Sequence, residues 1–78
     1  MNAEHLVRMA NDIGHFFAGE PRQEDAVAGV LNHLRRFWDP RMRRQIVAYL
    51  REGGVDLAEP ARSAVQALDA EARPLASP

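Results

Sequence analysis

No cysteine occurs in this chain of 78 residues, and that absence constrains what it can fold into more than any residue present. A core confined to so short a chain rarely supplies more than ~3–5 kcal/mol, and domains of this size are commonly stapled by disulfides, a metal or a partner. Disulfides are excluded, and with them any thiolate metal site or cysteine nucleophile. The core is also thin. Of the 36 hydrophobic residues 13 are alanine, which leaves 23 with a large apolar side chain. Length allows a single domain, and a stabilising partner is the expected substitute for the missing staples.

The remaining residues favour helix. Threonine is absent, isoleucine occurs only at Ile13 and Ile46, and alanine, leucine, arginine and glutamate dominate, so an all-α domain is expected. Four segments carry helical apolar spacing. The first, about Ala3 to Ala18, aligns Leu6, Ala10, Ile13 and Phe17, flanked by Met9 and Phe16, with Gly14 beside the stripe leaving space for another backbone. Gly19-Glu20-Pro21 interrupts it. A second helix starts between Pro21 and Glu24 and sets Val27, Val30, Leu31, Leu34 and Trp38 on one side. Asp39-Pro40 then forces a break, with Asp39 suited to cap a third helix from Pro40 to about Glu52. Met42, Ile46, Tyr49 and Leu50 form its apolar face, and Gly53-Gly54 closes it. The fourth segment, about Pro60 to Ala70, offers Ala61, Ala64, Val65 and Leu68, a face that buries little area.

The expected architecture is therefore a small bundle of three amphipathic helices plus a weaker fourth C-terminal helix. One domain spans residues 1–72, and a disordered tail covers 73–78. No apolar run approaches the ~20 residues of a membrane span, and no basic stretch followed by an apolar one opens the chain. A cytoplasmic protein without a membrane partner is expected.

Chemistry is sparse. His5, His15 and His33 form no His-x3-His pair, the acids are scattered near helix starts, and the serines are only Ser63 and Ser77. Gly53-Gly54 follows a helix where a phosphate loop would open one. No catalytic, cofactor-binding or metal-ligating residue is expected.

Charge is distributed less evenly than the net −1 implies. Between His33 and Arg51 six arginines face only Asp39, a local charge of +5, while the other four arginines face ten acids, −6. The densest run is Arg35-Arg-Phe-Trp-Asp-Pro-Arg-Met-Arg-Arg44. Arg41, Arg43 and Arg44 stand in the first turn and a half of the third helix, where each exposed cation opposes the helix dipole by ~0.3–1 kcal/mol. Arg41, Arg44 and Arg51 share one face with Ala48. A solvated basic face and a surface docking against an acidic partner or an anion both fit this pattern. Trp38 divides between core and contact in the same way, and Phe37, at the stripe's edge, is the better contact. The candidate partner-binding residues are Arg36, Phe37, Trp38, Asp39, Arg41, Arg43, Arg44 and Arg51. A small nucleic-acid-binding or regulatory module is the alternative, since arginines at a helix–turn–helix corner can meet phosphates. Against it, the chain is slightly acidic, with a pI of about 6.3, and Gln45 is the third helix's one base reader besides arginine.

At Arg36-Phe-Trp-Asp-Pro-Arg-Met-Arg43 the chain resembles the delta subunit of the soluble, NAD-dependent, molybdenum-containing formate dehydrogenases. That family's most distinctive run is Phe-Trp, an acid, then Pro-Arg-Met-Arg, and Phe37 to Arg43 match it throughout. Leu6-Val-Arg-Met-Ala-Asn-Asp-Ile-Gly14 is similar to the family's N-terminal helix, and Asn32-His-Leu34 and Gly53-Gly54 also fit. The resemblance covers roughly His5 to Leu68. It implies a helical accessory subunit without a redox centre, binding the alpha subunit and supporting assembly or stability of the complex. Bis-molybdopterin guanine dinucleotide and iron–sulfur clusters are then expected on the alpha subunit, and FMN, further clusters and the NAD site on the beta and gamma subunits. For the isolated chain a homodimer is the expected alternative association. The chain departs from the family before its fourth segment, where Ala58-Glu59 precede Pro60 in place of a serine. A lost serine cap costs ~1 kcal/mol.

Overall fold

The computed structural model describes residues 2–72, and the expected disordered tail over 73–78 lies outside the described residues. Four helices follow one another: α1 (Ala3–Phe17), α2 (Gln23–Phe37), α3 (Pro40–Arg51) and α4 (Ala61–Ala72). No strand occurs among the described residues, and the all-α class agrees with the composition.

Local chemistry explains the boundaries. Asn2 caps α1 by accepting the His5 backbone N–H at 2.8 Å. Trp38 leaves α2 in an extended conformation, as expected just ahead of an Asp-Pro pair, and Asp39 caps α3 by accepting the Met42 N–H at 2.9 Å. At the other end of α3, Gly53 donates to the Leu50 carbonyl and Gly54 to that of Tyr49, the paired bonds of a Schellman closure. Gly54 sits in the left-handed region at φ 63°, a conformation that favours glycine, and a Cβ there would lie 2.8 Å from the Arg62 guanidinium. The serine cap missing before α4 is replaced: Glu59 Oε1 accepts the Ser63 backbone N–H at 3.2 Å and its hydroxyl at 2.6 Å.

Packing departs most from expectation at α4. The helix with the poorest apolar face packs against α1, α2 and α3, while α2 and α3, neighbours in sequence, scarcely touch. Ala61, Ala64 and Val65 are fully buried, and Leu68 nearly so. Small side chains bury little area each, yet they let three helices approach one axis closely enough to share a core. Gly14 shows how close: a Cβ built there would meet Ala61 and Pro60 at 3.4 Å. Val7 and Gly14 face inward with Leu6 and Ala10, and Phe16, expected to flank the stripe, is 80% exposed with its ring edge-on to Phe17. On α3, Val47 joins Ile46 in the core, while Met42, Tyr49 and Leu50 are half-buried.

Candidate functional site

The α2–α3 corner gathers all the residues proposed for partner contact except Arg51, which stands at the far end of α3. The structure divides them by use. Trp38 is only 4% exposed and belongs to the core cluster with Leu34 and Ile46. Its ring, which the sequence left between core and contact, is a core anchor, since it lies four residues after Leu34 on the same apolar stripe. Asp39 is exposed, but its carboxylate is committed to the α3 cap.

Arg43 resolves an apparent contradiction in the sequence. It reaches back across the corner, and its Nη1 donates to the Trp38 carbonyl and, at 3.4 and 3.3 Å, to those of Leu34 and Arg35. The Leu34 carbonyl already accepts the Trp38 N–H, and those of Arg35 and Trp38 are among the orphan acceptors at the C-terminal end of α2. A cation that opposes the dipole of α3 therefore complements the dipole of α2, and the local rule is broken for a structural reason. Arg43, proposed from the sequence for partner contact, is a clamp between two helices through its Nη1.

Two further arginines are paired. Arg51 donates from Nη2 and Nε to Asp69 of α4 at 2.6 and 3.4 Å, and Arg35 donates to Glu71 at 3.0 Å. The hydrogen bond to Asp69, reinforced by its charge, raises the Arg51 guanidinium above its ordinary range. Neither Asp69 nor Glu71 lies in the basic run, so its local charge is partly answered from α4. Arg36, Arg41 and Arg44 are exposed and form no ion pair among the described residues. Beside them Phe37 is 69% exposed, with the His33 ring at 4.7 Å and the Arg36 guanidinium 5.9 Å from its centroid.

A groove opens between α3 and α4. Pro40, Val47, Ala48, Leu68 and Ala72 line it together with Arg43, Arg44 and Arg51, enclosing about 390 Å³. Sequence reasoning found its α3 wall, the face shared by Arg44, Ala48 and Arg51, but missed the wall from α4. Asn11 was missed as well. Its amide donates to the Asp56 carbonyl at 2.8 Å, and its oxygen accepts the Ala58 N–H at 3.0 Å, which ties α1 to the loop before α4. Tyr49, donating to the Val55 carbonyl at 2.8 Å, holds the same loop from α3.

Among the described residues no group of three or more histidines and acids is placed to hold a metal ion, and no helix is long and apolar enough to cross a membrane. A family model described as NADH-dependent formate dehydrogenase delta subunit, FdsD, matches residues 5–65. The chain belongs to this family. The matched span of the delta-subunit family runs from α1 into α4. It includes the Asn11 clamp, the arginine corner and the glycine closure of α3. Comparison with curated proteins and with solved structures yields no match.

Proposed function

We propose that the chain is a non-catalytic delta subunit that binds the molybdenum-containing alpha subunit of a soluble, NAD-dependent formate dehydrogenase and supports assembly or stability of the complex. In this reading the molybdenum cofactor, iron–sulfur clusters, FMN and NAD site belong to the other subunits, and this chain contributes surface. One observation carries it: Arg36, Arg41 and Arg44 stand without ion-pair partners among the described residues, on the corner that also carries the exposed Phe37 and whose Trp38, Asp39 and Arg43 are consumed by the fold. Arginine and large aromatic side chains are enriched among the residues that dominate interfaces. Family membership favours this reading over the nucleic-acid alternative.

Charge reversal tests it. The double variant Arg41→Glu/Arg44→Glu should keep its helical circular dichroism and lose at least ~10-fold in affinity for the alpha subunit in co-purification. Wild-type binding should weaken as salt rises, because exposed charges are screened within ~8 Å at physiological ionic strength. Undiminished co-purification of the double variant would overturn the role of this corner.

A further inference from the structure

We infer that the α3–α4 groove is the seat of an acidic amphipathic helix of the partner subunit, and that Arg44 and Arg51 read its carboxylates; the inference rests on the docking reading above. Three observations lead there. The groove is walled by two helices and lined by Pro40, Val47, Ala48, Leu68 and Ala72, the setting in which the apolar face of a third helix is received. Among the described residues, every charged side chain lining it is an arginine. Those arginines are not equally available, and the difference defines the ligand.

Arg43 spends its Nη1 on the carbonyls of α2 and is part of the wall. Arg51 holds Asp69 through Nε and Nη2, which leaves Nη1 free, and its side chain remains 53% exposed. Arg44 has no ion pair among the described residues. Two open donors thus stand seven residues apart on one face of α3, about 10.5 Å along its axis at 1.5 Å per residue. A helix lying along the groove matches that span with two carboxylates of its own at i and i+7, and with small or branched apolar residues between them facing Ala48. Asp69 pre-orients the Arg51 fork, so an incoming carboxylate meets a guanidinium already held in place.

The test uses the assembled complex. A photo-crosslinking residue replaces Ala48, which is exposed and outside the core, in the tagged chain expressed with the other formate dehydrogenase subunits, and the cross-linked peptides are sequenced. The expected product joins position 48 to a helical segment of a partner subunit bearing acids seven residues apart. Ala48→Trp, which fills the groove, should weaken capture of that subunit ~10-fold or more while helicity is retained. Cross-links to residues 73–78 of the same chain, or to a second copy, overturn the proposal, as does a partner segment without acids. A complex that forms normally with Ala48→Trp overturns the groove and leaves the docking reading standing. Failure of the wild-type chain to capture any formate dehydrogenase subunit overturns both.

Discussion

The two runs that carry the family resemblance are used very differently. Leu6 to Gly14 is spent mainly on the fold: Leu6, Val7 and Ala10 enter the core, Asn11 clamps the loop before α4, and Gly14 lies against Ala61 and Pro60. Phe37 to Arg43 is divided. Trp38, Asp39 and Arg43 anchor, cap and clamp the corner, while Phe37 and Arg41 remain outside it. Subtracting structural employment from a motif therefore isolates what is left for a partner. At the first run the exposed Arg8 and Asp12 are left over without an aromatic neighbour in the run, and at the second an aromatic ring and a cation are.

The adjacent aromatics give the sharpest way to break this contrast. Trp38→Ala should cost ~3–5 kcal/mol, comparable to the whole stability expected of so small a core, and abolish most helical signal at 25 °C. Phe37→Ala should leave the urea midpoint within ~0.5 kcal/mol of wild type and act only on partner binding. Equal destabilisation by the two would remove the distinction between the spent and the unspent half of the corner.

A smaller effect of the same kind separates two arginines one residue apart. Arg43→Ala strands carbonyls at the end of α2 and should destabilise the chain by ~1–2 kcal/mol in urea unfolding. Arg44→Ala removes an exposed cation from the wrong end of a helix and should be neutral or stabilising by up to ~0.5 kcal/mol. Loss of stability in both would mean that Arg44 has a structural partner too.

The mildest change tests the first run. Asn11→Ala deletes two hydrogen bonds to an exposed loop, a loss of ~1 kcal/mol, with faster amide exchange at Ala58 as its local signature. Unchanged exchange there would show that Tyr49, donating to the Val55 carbonyl, holds the loop without it.

Helix number, order and most boundaries were readable from residues acting on their neighbours. Asp39-Pro40 cannot continue a helix, Gly53-Gly54 can close one, and the spacing of Val30 and Leu34 or of Ala61, Ala64, Val65 and Leu68 points one face inward. The arginine corner was readable as a concentration of charge, and Phe37 as its exposed ring. The uses of the individual arginines were not, because each depends on a group distant in sequence. Arg51 is answered by Asp69, Arg35 by Glu71, and the groove has its second wall in Leu68 and Ala72. Glu59 replaced a missing serine through a side chain long enough to reach Ser63, an exchange that a cap preference counted by residue type does not register.

Local rules thus determined an all-α chain with a hard corner at its middle and more positive charge there than that corner consumes. Tertiary packing alone decided that the alanine-rich helix would, like α1, pack against all three others, since alanine has little apolar area to advertise its burial and instead permits close approach. The same packing sorted equivalent arginines into clamp, ion pair and open donor. The sorting follows from where α4 lies, which no spacing within α3 encodes.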